Sequence, residues 1–401
     1  MEYSNQELLN FAVQNGIINL ALVQNEKEMH DKKKILEKHP YSIYEGKDKN
    51  WYTYLPDEKT GRRKIKATTE EKIKNRVVDY WKEQSENPTI GDAFYDWVNS
   101  KLDYGEISRA TYNRYVIDFE KYFKDVKNKK IKTITEDFFD GFIKEAIRDF
   151  ELTPKAYSNF RTLIYGIFKY AKRKKYISYS ITYVVKDIEI SKKAFKRTVK
   201  TASDQVYLPD EKDTMEEYLI ENDDIVNLGL LFMFKTGVRV GELATLKRED
   251  VDNYTVAINA TETRYKDDNE KVHYDVKDFP KSEAGLRFAI LPKQYEWILD
   301  KILELNPNGY YLFERKGRRV KTYSFRRRLR YICEDKIHMK AKSPHKVRKT
   351  YGTLLLDGNV RESTVLDTMG HTDIACTKGH YYYDRSNIED KRKELGMVQG
   401  L

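Results

Sequence analysis

The sequence has little cysteine, no long apolar run and no export signal. Two cysteines, Cys333 and Cys376, stand in 401 residues, too few for a disulfide framework, and this usage suits a reducing cytosol. No apolar stretch approaches the roughly 20 residues of a membrane-spanning helix. The N-terminus, MEYSNQELLNF, lacks the basic and then apolar pattern of a signal peptide, so we expect a cytoplasmic protein with no membrane segment.

Several nucleotide- and metal-binding patterns are also missing. The sequence contains no P-loop, no EF-hand loop, no His-Glu-x-x-His motif and no carboxylate cluster. These absences argue against a P-loop ATPase, an EF-hand protein and a zinc metalloprotease. We therefore expect that neither a cofactor nor a metal ion takes part in the function.

The chain is instead rich in charge, with an excess of positive residues. Lysine and arginine number 74 against 64 aspartates and glutamates, and the formal net charge is +10. Such a bias favours polyanionic partners, although a solvated surface explains a basic composition almost as well. A hydrophobic content of 40% supports folded cores, and the length allows two or three domains.

The pattern of the N-terminal region changes near residue 41. Apolar residues recur at helical spacing before it, and bulky and polar residues alternate after it in YSIYEG, WYTYLPDE and RRKIKAT. This alternation predicts three short strands, with turns at Asp48-Lys49 and within Asp57–Gly61. A helix follows, capped near Thr68 or Thr69. The aromatic and basic residues of these strands either contact a ligand or simply cover a small sheet.

Residues 90–178 contain four strongly helical segments. Thr135 is a plausible N-cap of one of them. Aromatic residues recur at helical spacing, for example at Phe119 and Phe123, and predict a helical core. The segment after this block should form an extended, flexible linker. Basic runs lie near the end of the block, at 172–175 and 192–200.

From Leu208 onward, helices and short strands mix. Between Tyr254 and Leu291 the segments TVAIN, VHYDVKD and LRFAIL predict strands. Together with the N-terminal part, this pattern gives a mainly α protein with small β-sheets. The apolar spacing predicts helices at about 210–221, 223–236, 239–247, 292–305, 321–336, 344–357, 362–369 and 373–383.

Six residues of this C-terminal part stand in an order that suits chemistry on a phosphate. Arginine offers paired donors for phosphate oxygens, and cationic and imidazole donors stabilise the charge that develops during attack. His345 and Arg348 lie on one face of a predicted helix, so both can reach one phosphate. A tyrosine at the end of the series suggests covalent catalysis on a phosphodiester. The six are Arg239, Lys281, His345, Arg348, His371 and Tyr381, and Glu242 can orient a neighbouring basic group.

The order and contexts of these residues resemble the tyrosine recombinases, the phage-type integrases, and especially those of conjugative transposons. The resemblance is carried by TGVRVGEL, KSEAG, SPHKVRK, DTMGHTDIACT and YYYDR, and it covers roughly the second half of the chain. It implies a site-specific recombinase that cleaves and rejoins DNA through a 3′-phosphotyrosine, without metal or ATP, and so integrates and excises a mobile element. In this family a lysine like Lys281 protonates the leaving 5′ oxygen, and a histidine like His371 hydrogen-bonds the phosphate.

The same resemblance implies a multidomain organisation on DNA. Residues 1–84 resemble an arm-site DNA-binding domain, 88–190 a helical core-binding domain and 208–401 a mixed α/β catalytic domain, with 191–207 as the linker. The implied partners are double-stranded DNA at core and arm sites, further copies of the chain in a tetramer, and an excisionase or DNA-bending accessory protein. The candidate DNA contacts are Trp51, Tyr52, Tyr54, Arg62, Arg63, Lys64, Lys66, Arg173, Lys174, Lys192 and Lys193.

The position of the nucleophile departs from the commonest family pattern. Most members carry tyrosine nine positions after the histidine that corresponds to His371, and that position is His380 here. Tyr381, Tyr382 and Tyr383 follow it. Neighbouring side chains on a helix point about 100° apart, so only one of the three can face the phosphate. A subset of the family with His-Tyr at this junction favours Tyr381, with Tyr382 next.

Two other functions remain compatible with the sequence. A type IB topoisomerase uses the same chemistry but relaxes DNA, and a sheet-bearing N-terminal domain with a tyrosine close to the C-terminus favours a recombinase over it. The second is a DNA-binding protein of the same fold without activity, and the presence of all six residues argues against it. Lys277 is the nearest substitute for Lys281.

Overall fold

The computed structural model describes residues 4, 11–57, 60–198, 201–278, 285–385 and 388–397. The chain forms two compact units, Met1–Ile107 with Tyr115–Lys196 and Ser108–Arg114 with Arg197–Leu401. Helices predominate and the strands form small antiparallel sheets, which confirms the expected fold class. Within the described residues, no helix is both long and apolar enough to cross a membrane.

The first unit contains a helix, a three-stranded sheet and a second helix, as predicted. Their bounds are α1 Leu20–Glu37, β1 Tyr44–Glu45, β2 Trp51–Asp57, β3 Gly61–Ala67 and α2 Glu70–Glu86. Thr69 is the cap of α2, because its hydroxyl accepts the Lys72 N–H. The alternation along β2 buries Thr53 and Leu55 on the face that packs against α2. Residues 58 and 59 of the predicted second turn lie outside the described residues.

Five helices follow along the chain, and aromatic rings fill their core as predicted. Their bounds are α3 Ile90–Asp103, α4 Arg109–Tyr122, α5 Phe138–Asp149, α6 Pro154–Arg173 and α7 Ile181–Asp187. Phe119 stacks on Phe94 with ring centroids 3.9 Å apart and contacts Phe123 at 5.0 Å. The prediction of Thr135 as an N-cap is wrong. Its carbonyl accepts the Phe138 N–H, so the chain turns once more before α5 begins.

The described part of 191–207 is not the extended linker that the sequence predicts. Lys192–Ala194 form a 3-10 turn, and α8, Ala202–Gln205, is a single helical turn capped by the Thr201 hydroxyl. Tyr207 is fully buried in the second unit. Local capping and the burial of an aromatic ring therefore give this segment structure of its own.

The second unit is built around one apolar helix, α10. The helices are α9 Pro209–Glu221, α10 Ile225–Thr236, α11 Val240–Leu243, α12 Glu296–Leu305, α13 Thr322–Tyr331, α14 Pro344–Asp357, α15 Glu362–Met369, α16 Ile374–His380 and α17 Ile388–Gly396. Nearly every residue of α10 is buried, and helices α9, α11, α12, α13 and α14 pack against it. The helix predicted over 239–247 spans only Val240–Leu243, and Thr245 donates its hydroxyl to the carbonyl of Ala260 at 2.9 Å.

The predicted strand-rich insert is present in this unit. The strands are β4 Val251–Asp252, β5 Thr255–Ile258, β6 Thr261–Lys266, β7 Val272–Lys277, β8 Arg287–Ile290, β9 Glu314–Arg315 and β10 Arg318–Arg319. One sheet has the order β4-β5-β8, and β6 pairs with β7 in a separate hairpin. The strands expected in TVAIN, VHYDVKD and LRFAIL are β5, β7 and β8, so this prediction is confirmed.

His39 ties the segment after α1 to the sheet and to α2. Its Nε2 lies 3.0 Å from Thr53 Oγ1, and the Trp81 Nε1–H donates to its Nδ1 at 3.1 Å. An indole N–H can only donate, so Nδ1 carries no proton and the ring is neutral with its proton on Nε2. Burial lowers the pKa of His39, so the folded protein binds a second proton less well than the unfolded chain does.

We expect acid to destabilise the first unit through His39. The folded pKa lies below the unfolded value of about 6.5, so the stabilising contribution is complete above that value and is lost as the pH falls through the folded pKa. Urea unfolding followed by tryptophan fluorescence should give a lower free energy of unfolding at about pH 5.5 than at about pH 7.5. His39→Gln, which is polar but does not titrate, should shrink this difference. An equal difference in the variant would contradict the role of His39.

Candidate active site

Arg239 stands at the turn between α10 and α11. Gly237 ends α10 in the left-handed conformation, with φ 65°, and a Cβ at this position would overlap the Tyr351 ring. The Arg239 backbone N–H and its NH1 both donate to the Glu242 carboxylate, at 2.8 and 2.7 Å. Since α11 is only one turn long, Glu242 rather than a helix dipole orients the guanidinium. The Arg239 side chain is 38% exposed.

Glu242 is buried and pairs also with Arg287 of β8. Arg287 NH2 donates to Oε2 at 2.8 Å, and its NH1 donates to Oε1 at 3.2 Å. Burial by itself would raise the pKa of Glu242. The hydrogen bond from Arg287 and the charges of Arg287, Arg239 and Arg348 outweigh burial and lower this pKa to about 2. The carboxylate is therefore ionised at neutral pH.

Helix α14 carries His345 and Arg348 one turn apart and begins at Pro344, as predicted. Arg348 is fully buried. Its NH1 donates to the Gly237 carbonyl at 2.6 Å and its NH2 to the Met369 carbonyl, so it joins the ends of α10 and α15. Its Nε has no hydrogen-bond partner among the residues that the structure describes. Burial, and next the charge of Arg239, lower the pKa of Arg348 to about 10, which leaves it charged at neutral pH.

His371 follows Gly370, which ends α15 in the left-handed conformation. His371 Nε2 lies 3.2 Å from Arg348 NH2, and its Nδ1 lies 2.7 Å from Thr377 Oγ1. A guanidinium N–H only donates, so Nε2 is the acceptor and Nδ1 carries the proton. Burial, and next the charges of Arg348 and Arg239, lower the pKa of His371 to about 4.

His345 lies across the same pocket and is also neutral. Burial, and next the charges of Lys349 and Arg348, lower the pKa of His345 to about 4. Its ring centroid is 5.5 Å from that of Tyr381, in an edge-on arrangement. Both histidines are therefore uncharged donors or acceptors at neutral pH.

Tyr381 is the tyrosine of the YYY run that lies among these groups. Its ring centroid is 4.6 Å from that of His371 and 5.6 Å from the guanidinium carbon of Arg348, and the residue is 8% exposed. Helix α16 ends at His380, so Tyr381 turns inward as the C-cap. Gly352 of α14 allows this approach, because a Cβ there would stand 3.2 Å from the Tyr381 Cβ.

The other two tyrosines take different positions. Tyr382 is 43% exposed. The Tyr383 hydroxyl accepts a hydrogen bond from Lys349 Nζ at 3.1 Å. Of the three, Tyr381 alone has its ring against His371 and Arg348 in the described geometry. Its choice as nucleophile remains a prediction that this geometry favours.

A cavity of about 770 Å³ opens beside these residues, with Arg239, His345 and Arg348 in its wall. Helix α13 adds Arg326 and Arg330 to the wall. Both arginines are absent from the predicted set. The signal for them is the run SFRRRLRY, in which positions four residues apart share one helix face. The cavity is thus lined with more positive charge than the predicted residues supply.

Lys281 lies within residues 279–284, outside the part of the chain that the structure describes. Strand β7 ends at Lys277 before this segment, and β8 starts at Arg287 after it. The roles of Lys281, and of Lys277 as its substitute, remain predictions.

The N-terminal sheet sorts the predicted DNA contacts by face. Strand alternation puts Trp51 and Arg63 on the face that packs against α2 and the other five on the opposite face. On that face Lys64 Nζ lies 4.2 Å from the Tyr52 ring centroid, so cations and rings interleave. The five residues are Tyr52, Tyr54, Arg62, Lys64 and Lys66. The seven candidates therefore do not share one surface, and their contact with DNA remains a prediction.

The remaining predicted DNA contacts are exposed side chains of the first unit. Arg173 and Lys174 lie at the end of α6, and Lys192 and Lys193 in the 3-10 turn. Exposed cations suit phosphate contacts, but exposure is equally typical of a solvated surface. Their contact with DNA remains a prediction.

The second unit and its pocket are similar to the catalytic units of known recombinases. The model of the phage integrase family matches residues 200–387, so this part of the chain is similar to that family. The tyrosine recombinase XerD of Listeria monocytogenes serotype 4b (strain F2365) is 24% identical over 190 residues, which cover 46% of this chain. The match spans 60% of the length of that relative.

Two solved structures share the fold at low sequence identity. An integrase of the transposon Tn1549, in complex with circular intermediate DNA, has a TM-score of 0.56 and 13% identity, covering 77% of this chain and 99% of that chain. A lambda integrase tetramer bound to a Holliday junction has a TM-score of 0.52 and 14% identity, covering 86% of this chain and 98% of that chain. At these identities the likeness establishes the fold.

We expect both imidazoles of the pocket to be uncharged in mildly acidic solution. With their pKa values lowered to about 4, both rings should be almost fully deprotonated at about pH 6. Long-range ¹H–¹⁵N NMR spectra of histidine-labelled protein should show neutral rings and, for His371, the proton on Nδ1. His345→Gln and His371→Gln variants assign the two signals. A cationic ring at either position would contradict the described arrangement.

Proposed function

We propose that the chain is a site-specific DNA recombinase, an integrase that cleaves and rejoins DNA strands through a 3′-phosphotyrosine and so integrates and excises a mobile element. The observation that carries the proposal is the position of Tyr381, whose buried ring lies against His345, His371 and Arg348. A phenol among cationic and imidazole donors is suited to attack a phosphodiester. The match of residues 200–387 to the phage integrase family model and the shared fold of DNA-bound integrases support the proposal.

In this proposal the scissile phosphate binds between Arg239 and Arg348. Arg239 is partly exposed in the wall of the cavity, and Arg348 offers a buried Nε–H that has no partner among the described residues. An unpaired buried donor costs free energy, so a phosphate oxygen that accepts from it stabilises the site on binding. His345 acts as donor or proton shuttle, and His371 donates to the phosphate once Nε2 carries a proton.

The proposed reaction exchanges one phosphate ester for another. The Tyr381 oxygen attacks phosphorus and passes its proton to the neutral His345, the proposed proton shuttle, while the bond to the 5′ oxygen breaks. That oxygen takes a proton, which the proposal assigns to Lys281. A 5′ hydroxyl of another strand then attacks the phosphotyrosine, forms a new phosphodiester and returns the tyrosine. Because the ester energy is kept throughout, ATP is not consumed.

The proposed organisation on DNA follows the family resemblance. Residues 1–84 bind arm sites, 88–190 bind core sites and 208–401 carry the chemistry, with 191–207 between them. The chain assembles as a tetramer on double-stranded DNA, the state in which lambda integrase binds a Holliday junction. An excisionase or a DNA-bending protein biases the reaction towards integration or excision. The reaction takes place in the cytoplasm.

We expect Tyr381 to be the tyrosine that forms the covalent bond with DNA. A nicked suicide substrate incubated in EDTA without ATP should trap a covalent adduct with the unchanged protein. Tyr381→Phe keeps the ring and loses the attacking oxygen, so it should bind the substrate normally and form no adduct. Tyr382→Phe and Tyr383→Phe are the matched controls and should still form it. An adduct mapped by mass spectrometry to Tyr382 or Tyr383 would overturn the choice of Tyr381. A strict need for magnesium would overturn the proposed metal-independent chemistry.

We expect the face of the N-terminal sheet that points away from α2 to bind arm-site DNA. Replacing Arg62, Lys64 and Lys66 together by alanine should weaken binding to an arm-site duplex and leave core-site cleavage intact. The slope of log affinity against log salt should fall by roughly 0.9 for each phosphate that the variant no longer neutralises. Arg63→Ala, from the opposite face of the same strand, is the control and should bind as the unchanged protein does. Gel shifts that show equally weakened binding for both variants would refute the face assignment.

A further inference from the structure

Arg287 is a buried arginine in a strand whose other inward residues are apolar. It is 9% exposed, and Ala289 and Leu291, which share its side of β8, are also buried. A buried guanidinium needs several acceptors to offset the loss of hydration. Arg287 has both oxygens of Glu242 and the carbonyls of Thr368 and Gly285.

Each of these acceptors belongs to a different part of the pocket. Glu242 holds the backbone N–H and the NH1 of Arg239. The Thr368 carbonyl, 2.9 Å from Arg287 Nε, belongs to the last turn of α15, directly before Gly370 and His371. Gly285 is the first described residue after the segment that contains Lys281. One guanidinium therefore connects the elements that carry Arg239 and His371.

We propose that Arg287 is a positioning residue, which fixes Arg239 through Glu242 and fixes His371 through the end of α15. This inference rests on the recombinase function proposed above. Arg287 lines, together with His371, a cavity of about 410 Å³, and it is not in the wall of the cavity lined by Arg239, His345 and Arg348. It acts on the reaction only through the residues that it holds.

A positioning role has a consequence for pH dependence that simple packing lacks. The charged groups facing Glu242 are Arg239 on α11, Arg287 on β8 and Arg348 on α14, and they hold the carboxylate ionised. Loss of Arg287 removes a two-point hydrogen bond and a charge while Glu242 stays buried, so the pKa of Glu242 rises. Once protonated, Glu242 no longer accepts both hydrogen bonds from Arg239, and the guanidinium is released.

The test measures adduct formation on the suicide substrate as a function of pH, with DNA affinity measured separately. Arg287→Met should slow adduct formation by on the order of 10²-fold, the effect of a small misplacement of catalytic groups, and leave DNA affinity nearly unchanged. Its rate should fall further as the pH decreases below neutrality. Arg287→Lys, which restores the charge and part of the hydrogen bonding, should recover much of the rate and remove this acidic fall.

Coupling through Glu242 is tested by a double variant. If Arg287 acts partly through Glu242, adding Arg287→Met to Glu242→Gln should slow the reaction less than adding it to the unchanged protein, because only the route through Thr368 is left to lose. The double variant should also lack the loss of rate in acid, because glutamine does not titrate. Lys235→Met is the control for reduced stability. It removes a cation that is 7% exposed and lies 2.7 Å from Glu216 in the same unit, away from the cavity. Its melting temperature should fall while the adduct rate per folded molecule stays unchanged.

The outcomes separate this inference from the proposed function. If the unchanged protein forms no adduct, the recombinase function fails and the inference falls with it. If the unchanged protein forms the adduct and Arg287→Met matches its rate and pH profile, only the inference is overturned. Equal reductions of rate and DNA affinity in Arg287→Met, or reductions matched by Lys235→Met, would also overturn it.

Discussion

The ionised carboxylate of Glu242 is the interaction on which the rest of the pocket depends. Arg239, Arg287 and Arg348 bring three positive charges into a largely buried region, and the charges of Arg239 and Arg287 both lower the pKa of Arg348. Like charges repel strongly where water is excluded. Glu242 offsets this repulsion, and breaking a buried ion pair by removing one partner costs about 3–5 kcal/mol. The positions of α11, β8 and α14 around the pocket therefore depend on one acidic side chain.

This balance explains why the pocket suits an anion that arrives from outside. Both carboxylate oxygens of Glu242 already accept hydrogen bonds from Arg239 and Arg287. The two neutral histidines add no charge to the pocket. Arg348 retains its charge and an Nε–H without a described partner. In the proposed function, a phosphate supplies the missing counter-charge beside Tyr381, where negative charge grows during attack.

The sequence predicts much of this site because its signals are local. The turn at Gly237 and the one-turn spacing of His345 and Arg348 follow from neighbouring residues, and the structure has both. Arg287 escapes prediction because its acceptors on Glu242 and Thr368 lie 45 and 81 residues away in the chain. No local pattern reports such pairings.

Other features cannot be predicted from the sequence because tertiary contacts determine them. Alternation along β3 separates Arg63 from Lys64, but only the packing of α2 decides which face stays open. The length of α16 is a similar case. The Tyr381 and Tyr382 N–H groups both bond to the Thr377 carbonyl, which ends the helix at His380 and turns Tyr381 into the pocket. A count of residues from His371 does not contain that information.

In the proposed function, a phosphate that binds the Arg348 Nε–H and also its NH2 has to displace the hydrogen bond between NH2 and His371. The phosphate competes for a guanidinium that already has acceptors in Gly237, Met369 and His371. The affinity for a DNA phosphate at this point is then the difference between the contacts that the phosphate makes with Arg348 and the contacts that Arg348 loses. This affinity is smaller than the strength of either set of contacts alone. If binding of the remaining duplex supplies the free energy for this exchange of contacts, recognition of the flanking sequence and activation of the reactive groups are thermodynamically linked.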